Sequence, residues 1–173
     1  MANVDTRSTL QWQTAVGDRR CKMTFKPRLT RLKRLYTQCP VYFLTPCTEN
    51  RHCVLANNEI HHRFIEFADE ATRRHVLVGR YMIMPDHIHL FAAFNPLSPT
   101  LPSWMKALKG SLSEVLREKG GDGTHWQKDY FDHVLRSEES FRQKWEYVRQ
   151  NPVRAGLVKR SEDWPYQGEI HHL

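Results

Sequence analysis

The chain has 173 residues, 40% apolar and 11% aromatic, enough for one buried core and too many for wholesale disorder. No run approaches the ~18 consecutive apolar residues of a membrane-spanning helix, and the amino terminus lacks the apolar segment of a secretory signal, so a cytoplasmic protein without a membrane partner is expected. The net charge of +7 sits entirely in residues 1–38, where nine Lys/Arg face two acids, while the rest of the chain carries seventeen of each sign. This asymmetry divides the chain into a basic arm, 1–38, and a domain, 39–173.

In the arm, Arg19, Arg20, Lys22, Lys26, Arg28, Arg31, Lys33 and Arg34 crowd into "RRCKMTFKPRLTRLKR". Such a run is either a flexible solvated tail or a surface for polyanions, since clustered cations displace counterions from nucleic-acid phosphates. Cys21, Cys39, Cys47 and Cys53 show no Cys-x-x-Cys spacing. A zinc site would have to borrow residues such as His52, and free thiols are expected.

After the arm, residues 40–46 read as a strand leading into a polar loop. "NNEIHHRFIEFADEATRRH" reads as a helix capped by Asn57 or Asn58, with Ile60, Phe64, Phe67, Ala68 and Ala71 on its apolar face. His61 and His62 diverge by about 100° on that helix and are expected at the surface. "HVLVGRYMIM" and "HIHLFAAF" read as strands around a tight "PD" turn. In "LPSWMKALKGSLSEVLREKG", Met105, Leu108, Leu112, Val115 and Leu116 line one helical face, with Pro102 in the first turn and Gly120 and Gly121 closing it. "HWQKDYFDHVLR" reads as a strand, and a last helix starts from Ser137. The order β-α-β-β-α-β-α contains the ferredoxin-like split βαβ pattern, an α+β antiparallel sheet with helices on one face, followed by a C-terminal helix.

Strand side chains alternate, so His87 and His89 share one face, about 7 Å apart along the chain. Ile88, Leu90, Ala92 and Phe94 share the opposite, core-facing side. Two imidazoles at a strand end can share one metal ion, although His-x-His by itself is also met as paired surface histidines. In the last helix, Phe141, Trp145 and Val148 define the buried stripe, and Tyr147 and Asn151 are i,i+4 neighbours on its flank. Asn151 precedes Pro152, which disfavours continued helix; it is expected to end one helix and cap the turn "PVRAG".

Five blocks, "YMIMPDHIHLF", "WMKALKG", "HWQKDYFDHVLRS", "EYVRQNPVRAGLV" and "EDWPY", occur in order. Over residues 40–166 the chain thereby resembles the REP-associated tyrosine transposases, single-tyrosine members of the HUH (His, hydrophobe, His) endonuclease superfamily. The resemblance implies cleavage and rejoining of hairpin-bearing single-stranded DNA on a ferredoxin-like fold. It assigns His87, His89 and Asn151 to a divalent metal, with Ile88 as the hydrophobe, and Tyr147 to the nucleophile that forms a 5′-phosphotyrosine. Mixed nitrogen and oxygen donors with a phosphate substrate favour Mg²⁺ or Mn²⁺ over zinc.

Trp104, Lys106, Lys109 and Trp126 are further candidates for stacking bases and contacting DNA backbone. Relatives of this kind include homodimers in which the tyrosine serves the histidines of the other copy. Two other readings fit the same residues: a domesticated, non-catalytic DNA-binding protein, and a metal-dependent phosphohydrolase that needs no Tyr147.

Overall fold

The computed structural model describes residues 39–173 apart from residue 122, together with the backbone of two short segments in the arm. Those segments, β1 (Leu10–Thr14) and β2 (Cys21–Phe25), pair antiparallel as a separate two-stranded sheet, which the sequence reading did not anticipate. The arm residues Arg19, Arg20, Lys26, Arg28, Arg31, Lys33 and Arg34 lie outside the described residues, as does the side chain of Lys22.

The domain is built on β3 (Val41–Thr48), β4 (Val76–Ile83), β5 (Ile88–Phe94), β6 (Trp126–Leu135) and β7 (Gln167–Glu169). Its helices are α1 (Asn58–Ala71), α2 (Leu101–Glu118), α3 (Glu138–Arg149) and the short α4 (Asn151–Arg154). The sheet order is β6-β3-β5-β4-β7, all antiparallel. Without β7, this is the ferredoxin-like arrangement expected from the sequence. The three-residue β7 lacks the length and alternation that reveal a strand, and was not anticipated. It docks where Gly168 passes Tyr81, and a Cβ there would lie 2.8 Å from the Tyr81 hydroxyl.

The helices begin where the sequence provides caps. Asn57 Oδ1 accepts from the Ile60 amide at 3.0 Å, and Ser137 Oγ accepts from the Ser140 amide at 3.2 Å, each cap being worth about 1 kcal/mol. The sheet separates two cores. On one face α1 and α2 cover Leu44, Val78, Tyr81, Ile88, Leu90 and Ala92. On the other, Phe141 and Val148 of α3 cover Phe43, Met82, Phe91 and Ala93. The face carrying His89 is therefore a second core, not an open surface.

Four local expectations are corrected. β3 continues to Thr48, beyond residue 46, because edge strand β6 pairs with it through an irregular register after Pro46. His61 is half-buried, its Nε2 lying 2.7 Å from the Tyr81 hydroxyl, because the chain after α4 returns to pack Tyr166 against it. Asn151 is the first residue of α4; Gln150 occupies the cap position. Trp104 and Trp126 are only 2% and 6% exposed and belong to the α1/α2 core. Trp104 packs on Phe67 and Phe94, and Trp126 donates its Nε1–H to Ser113 Oγ at 3.0 Å, so neither ring has a free face for a base.

Among the described residues, no helix is long and apolar enough to cross a membrane.

Candidate active site

The β4–β5 turn, Met84-Pro85-Asp86-His87, is held from three sides. The Met84 amide donates to the His87 carbonyl at 2.8 Å, the Thr48 amide to the Asp86 carbonyl at 2.9 Å, and the Leu55 amide to the Pro85 carbonyl at 2.9 Å. His87 stands just before β5, bridged to Cys47, and His89 lies within β5 opposite Met82. Fixing the turn fixes where both imidazoles point.

They point at each other. The two Nε2 atoms are 3.1 Å apart. His87 Nδ1 is 2.6 Å from Asp86 Oδ1, and His89 Nδ1 is 2.8 Å from Thr45 Oγ1. An ionised carboxylate only accepts, so His87 carries its proton on Nδ1 and presents a lone pair at Nε2. The Thr45 hydroxyl can donate to His89 Nδ1 or accept from it. In the first case His89 Nε2–H donates to His87; in the second, both Nε2 lone pairs converge and require a cation between them.

Two nitrogens about 2.1 Å from one ion, in tetrahedral or octahedral geometry, stand about 3.0–3.4 Å apart. The observed 3.1 Å fits that spacing. The outer contacts are of the kind that orient metal-bound imidazoles, a carboxylate on one and a hydroxyl on the other. Arg51 Nε in turn lies 3.1 Å from Asp86 Oδ2.

Electrostatics favour uncharged imidazoles. Burial pushes the His89 imidazolium down to about 3, helped by His87, Arg51 and Arg154 and opposed by Asp86. Burial also lowers His87, against the hydrogen bond and charge of Asp86. A neutral imidazole is the form that ligates a metal. Among the described residues, no group of three or more histidine, cysteine or carboxylate side chains is placed to share an ion. Among the described residues, a third protein donor would be of another type, such as an amide oxygen.

Tyr147 and Asn151 are brought together by a residue the sequence reading did not name. Arg154 Nη2 donates to the Tyr147 carbonyl at 2.8 Å and also to Asn151 Oδ1. The guanidinium carbon lies 4.2 Å from the centroid of the Tyr147 ring. The Tyr147 side chain is otherwise open, at 63% exposure. No hydrogen bond among the described residues joins Tyr147 or Asn151 directly to either imidazole. The two groups are linked through α3, which lays Phe141 on Phe91 at 4.5 Å between ring centroids and Lys144 Nζ 5.3 Å over Phe43. Phe43 itself stacks on His89, with centroids 5.4 Å apart. The charge of Arg154 also reaches His89. A signal for Arg154 existed in the i+3 and i+7 spacing from Asn151 and Tyr147, which places an arginine over the end of α3.

Of the other candidates, Lys106 is exposed on α2. Lys109 spends its ammonium on the carbonyls of Gln127 at 2.8 Å and Asp129 at 3.2 Å, tying α2 to β6. Cys47 and Cys53 are free thiols; burial raises Cys47 above the usual thiol range, although Arg51 Nη1 lies 2.9 Å from its sulfur.

Comparison with known proteins assigns the chain to a family of DNA transposases. The family model described as "Transposase IS200 like" matches residues 37–151, and the chain belongs to that family. It is 22% identical over 141 residues to the REP-associated tyrosine transposase of Escherichia coli, covering 80% of this chain and 81% of the relative. It is 30% identical over 96 residues to the ISDra2 transposase TnpA of Deinococcus radiodurans, covering 51% of this chain and 68% of the relative. A solved structure of a REP-associated tyrosine transposase bound to a REP hairpin shares the fold with a TM-score of 0.63 at 22% identity, covering 74% of this chain and 75% of the other.

Proposed function

We propose that this chain cuts and rejoins single-stranded DNA beside a REP-like hairpin, with Tyr147 as nucleophile and His87, His89 and Asn151 as donors to a divalent ion. The observation that carries the reading is the pair of Nε2 atoms converging at 3.1 Å while both Nδ1 atoms are otherwise engaged. Hairpin DNA is proposed because the E. coli relative is a REP-associated transposase and the solved relative is bound to a REP hairpin.

Mg²⁺ or Mn²⁺ at these donors would supply positive charge to the scissile phosphate. The chain's own groups do the rest. The Tyr147 oxygen bonds to phosphorus as the bond from phosphorus to the 3′-oxygen breaks. The phenol proton leaves to solvent, and the departing 3′-oxygen takes up a proton to become a 3′-OH. One phosphodiester-type bond replaces another, so a 3′-OH can later displace Tyr147 by the reverse step without an energy source. Arg154 restrains the tyrosine ring and fixes the Asn151 amide with its oxygen toward the guanidinium, leaving that oxygen a second lone pair. Asp86 sets the proton position on His87, and Thr45 orients the His89 ring.

The test is to incubate the full chain with a hairpin-bearing single strand and Mn²⁺, and to examine both product ends. This reading requires a free 3′-OH that a polymerase extends, a blocked 5′ end, and no cutting under chelation. A free 5′-phosphate would instead support simple hydrolysis, and binding without cutting would support the domesticated DNA-binding protein.

A further inference from the structure

The aromatic residues expected to stack on DNA, Trp104 and Trp126, are buried. Among the described residues the large exposed aromatics are Tyr147 and Phe131, the latter 55% exposed. Phe131 lies on edge strand β6, directly across from Thr45 of β3, and Thr45 in turn contacts His89 of β5. It therefore lies on the same face of the sheet as the imidazole pair. Phe131 meets Phe43 edge-on with centroids 6.1 Å apart, and Phe43 stacks on His89 at 5.4 Å with planes inclined by 21°. A line of rings thus runs from the imidazoles outward and ends in an uncovered phenyl face.

Two strand spacings separate β5 from β6, about 10 Å, which is roughly the reach of a nucleotide from its phosphate to the far side of its base. A cation lies along the way, Lys144 Nζ 5.3 Å over the Phe43 ring, and another stands at the imidazole end, Arg51 Nε 3.1 Å from Asp86 Oδ2. Positive charge where the backbone runs and an exposed ring one nucleotide away form the pattern of a single-strand binding groove.

We propose that Phe131 is the stacking platform for an unpaired base flanking the phosphate held at the His87–His89 pair. This inference rests on the function proposed above. The hairpin would be recognised elsewhere; Phe131 holds the single-stranded flank in register with Tyr147.

The test uses the full chain carrying Tyr147→Phe, so that binding is read without the tyrosine chemistry, and hairpin strands with 2-aminopurine at each flanking position in turn. One flanking position should change its fluorescence on binding. Phe131→Ala and Phe131→Leu should abolish that change and weaken binding of the flanked hairpin by about 5- to 150-fold. Phe131→Trp should retain both, and a hairpin without the flank should bind all variants alike. Unchanged flank affinity and fluorescence in Phe131→Ala would overturn the proposal, as would an equal loss on the flankless hairpin. A Phe131→Ala that only lowers the mass of the free protein in light scattering would also overturn it, showing that β6 joins two copies. Should Tyr147→Phe still cut DNA, the proposed chemistry fails, yet the flank fluorescence decides the role of Phe131 independently.

Discussion

The Arg154 guanidinium sits 4.2 Å from the Tyr147 ring centroid while one of its nitrogens serves both the Tyr147 carbonyl and the Asn151 amide oxygen. One side chain thus spans the end of α3 and the start of α4. Hydrogen bonds to charged donors are worth about 1.5–3 kcal/mol, so Arg154→Ala should slow cleavage by roughly 10- to 100-fold. Hairpin affinity should change far less, making this an effect on kcat rather than KM. Arg154→Lys keeps the charge but loses the planar fork, and should recover only part of the rate. Added guanidinium salt should rescue Arg154→Ala more than Arg154→Lys in single-turnover cleavage. A loss confined to KM would assign Arg154 to DNA binding alone.

The imidazole pair leads to a graded metal dependence. His87→Ala and His89→Ala each remove a donor and should abolish cleavage at any Mn²⁺ concentration tested. Asp86→Asn removes the carboxylate that holds His87 Nδ1 and should weaken the ion by about 10- to 100-fold, as outer contacts of metal ligands do. Excess Mn²⁺ should restore Asp86→Asn and partly restore Asn151→Ala, in both cutting rate and thermal stabilisation by the ion. Chelated protein that cuts as fast as Mn²⁺-treated protein would remove the ligand assignment.

Trp126 separates a core role from a DNA role. Its ring is buried under α2 with the indole bonded to Ser113. Trp126→Ala should cost about 3–5 kcal/mol in urea unfolding and leave the hairpin affinity of the folded fraction within about two-fold, well below the contribution of a stacked base.

How much of this was legible in the sequence depends on how local each feature is. The alternation of Ile88, Leu90, Ala92 and Phe94 against His87 and His89 gave the strand and the shared face, because period two is a local property. The caps at Asn57 and Ser137 gave the helix starts for the same reason. The second core was missed because it depends on α3 folding back over Phe43 and Phe91, a tertiary event with no local signature. Trp104 and Trp126 were misjudged for a related reason: composition does not say which face of the α2–β6 unit is covered. Phe131 and Arg154 lay in plain view, but only the register of β6 on β3 and the α3–α4 turn show what they adjoin.

The basic arm should act on affinity rather than chemistry, since it holds the whole net charge. Each phosphate neutralised on a single strand contributes about −0.7 to the slope of log K against log salt. If four of its nine cations engage DNA, deleting residues 1–38 flattens that slope by about 3. Affinity should fall most at low salt, with cleavage at saturating DNA retained. An unchanged slope would make the arm a solvated tail, and lost cleavage at saturation would make it part of the active site.

The central claim is that Tyr147 becomes covalently joined to DNA. The most direct measurement is to denature a reaction containing Mn²⁺ and labelled hairpin-bearing single strand, isolate the labelled protein, and map the nucleotide-bearing peptide by mass spectrometry. The account predicts a 5′-phosphonucleotide on Tyr147 in the wild-type chain and none in Tyr147→Phe, with DNA binding intact in both. Label on another residue, or brisk cutting by Tyr147→Phe with no protein-bound label at all, would contradict it.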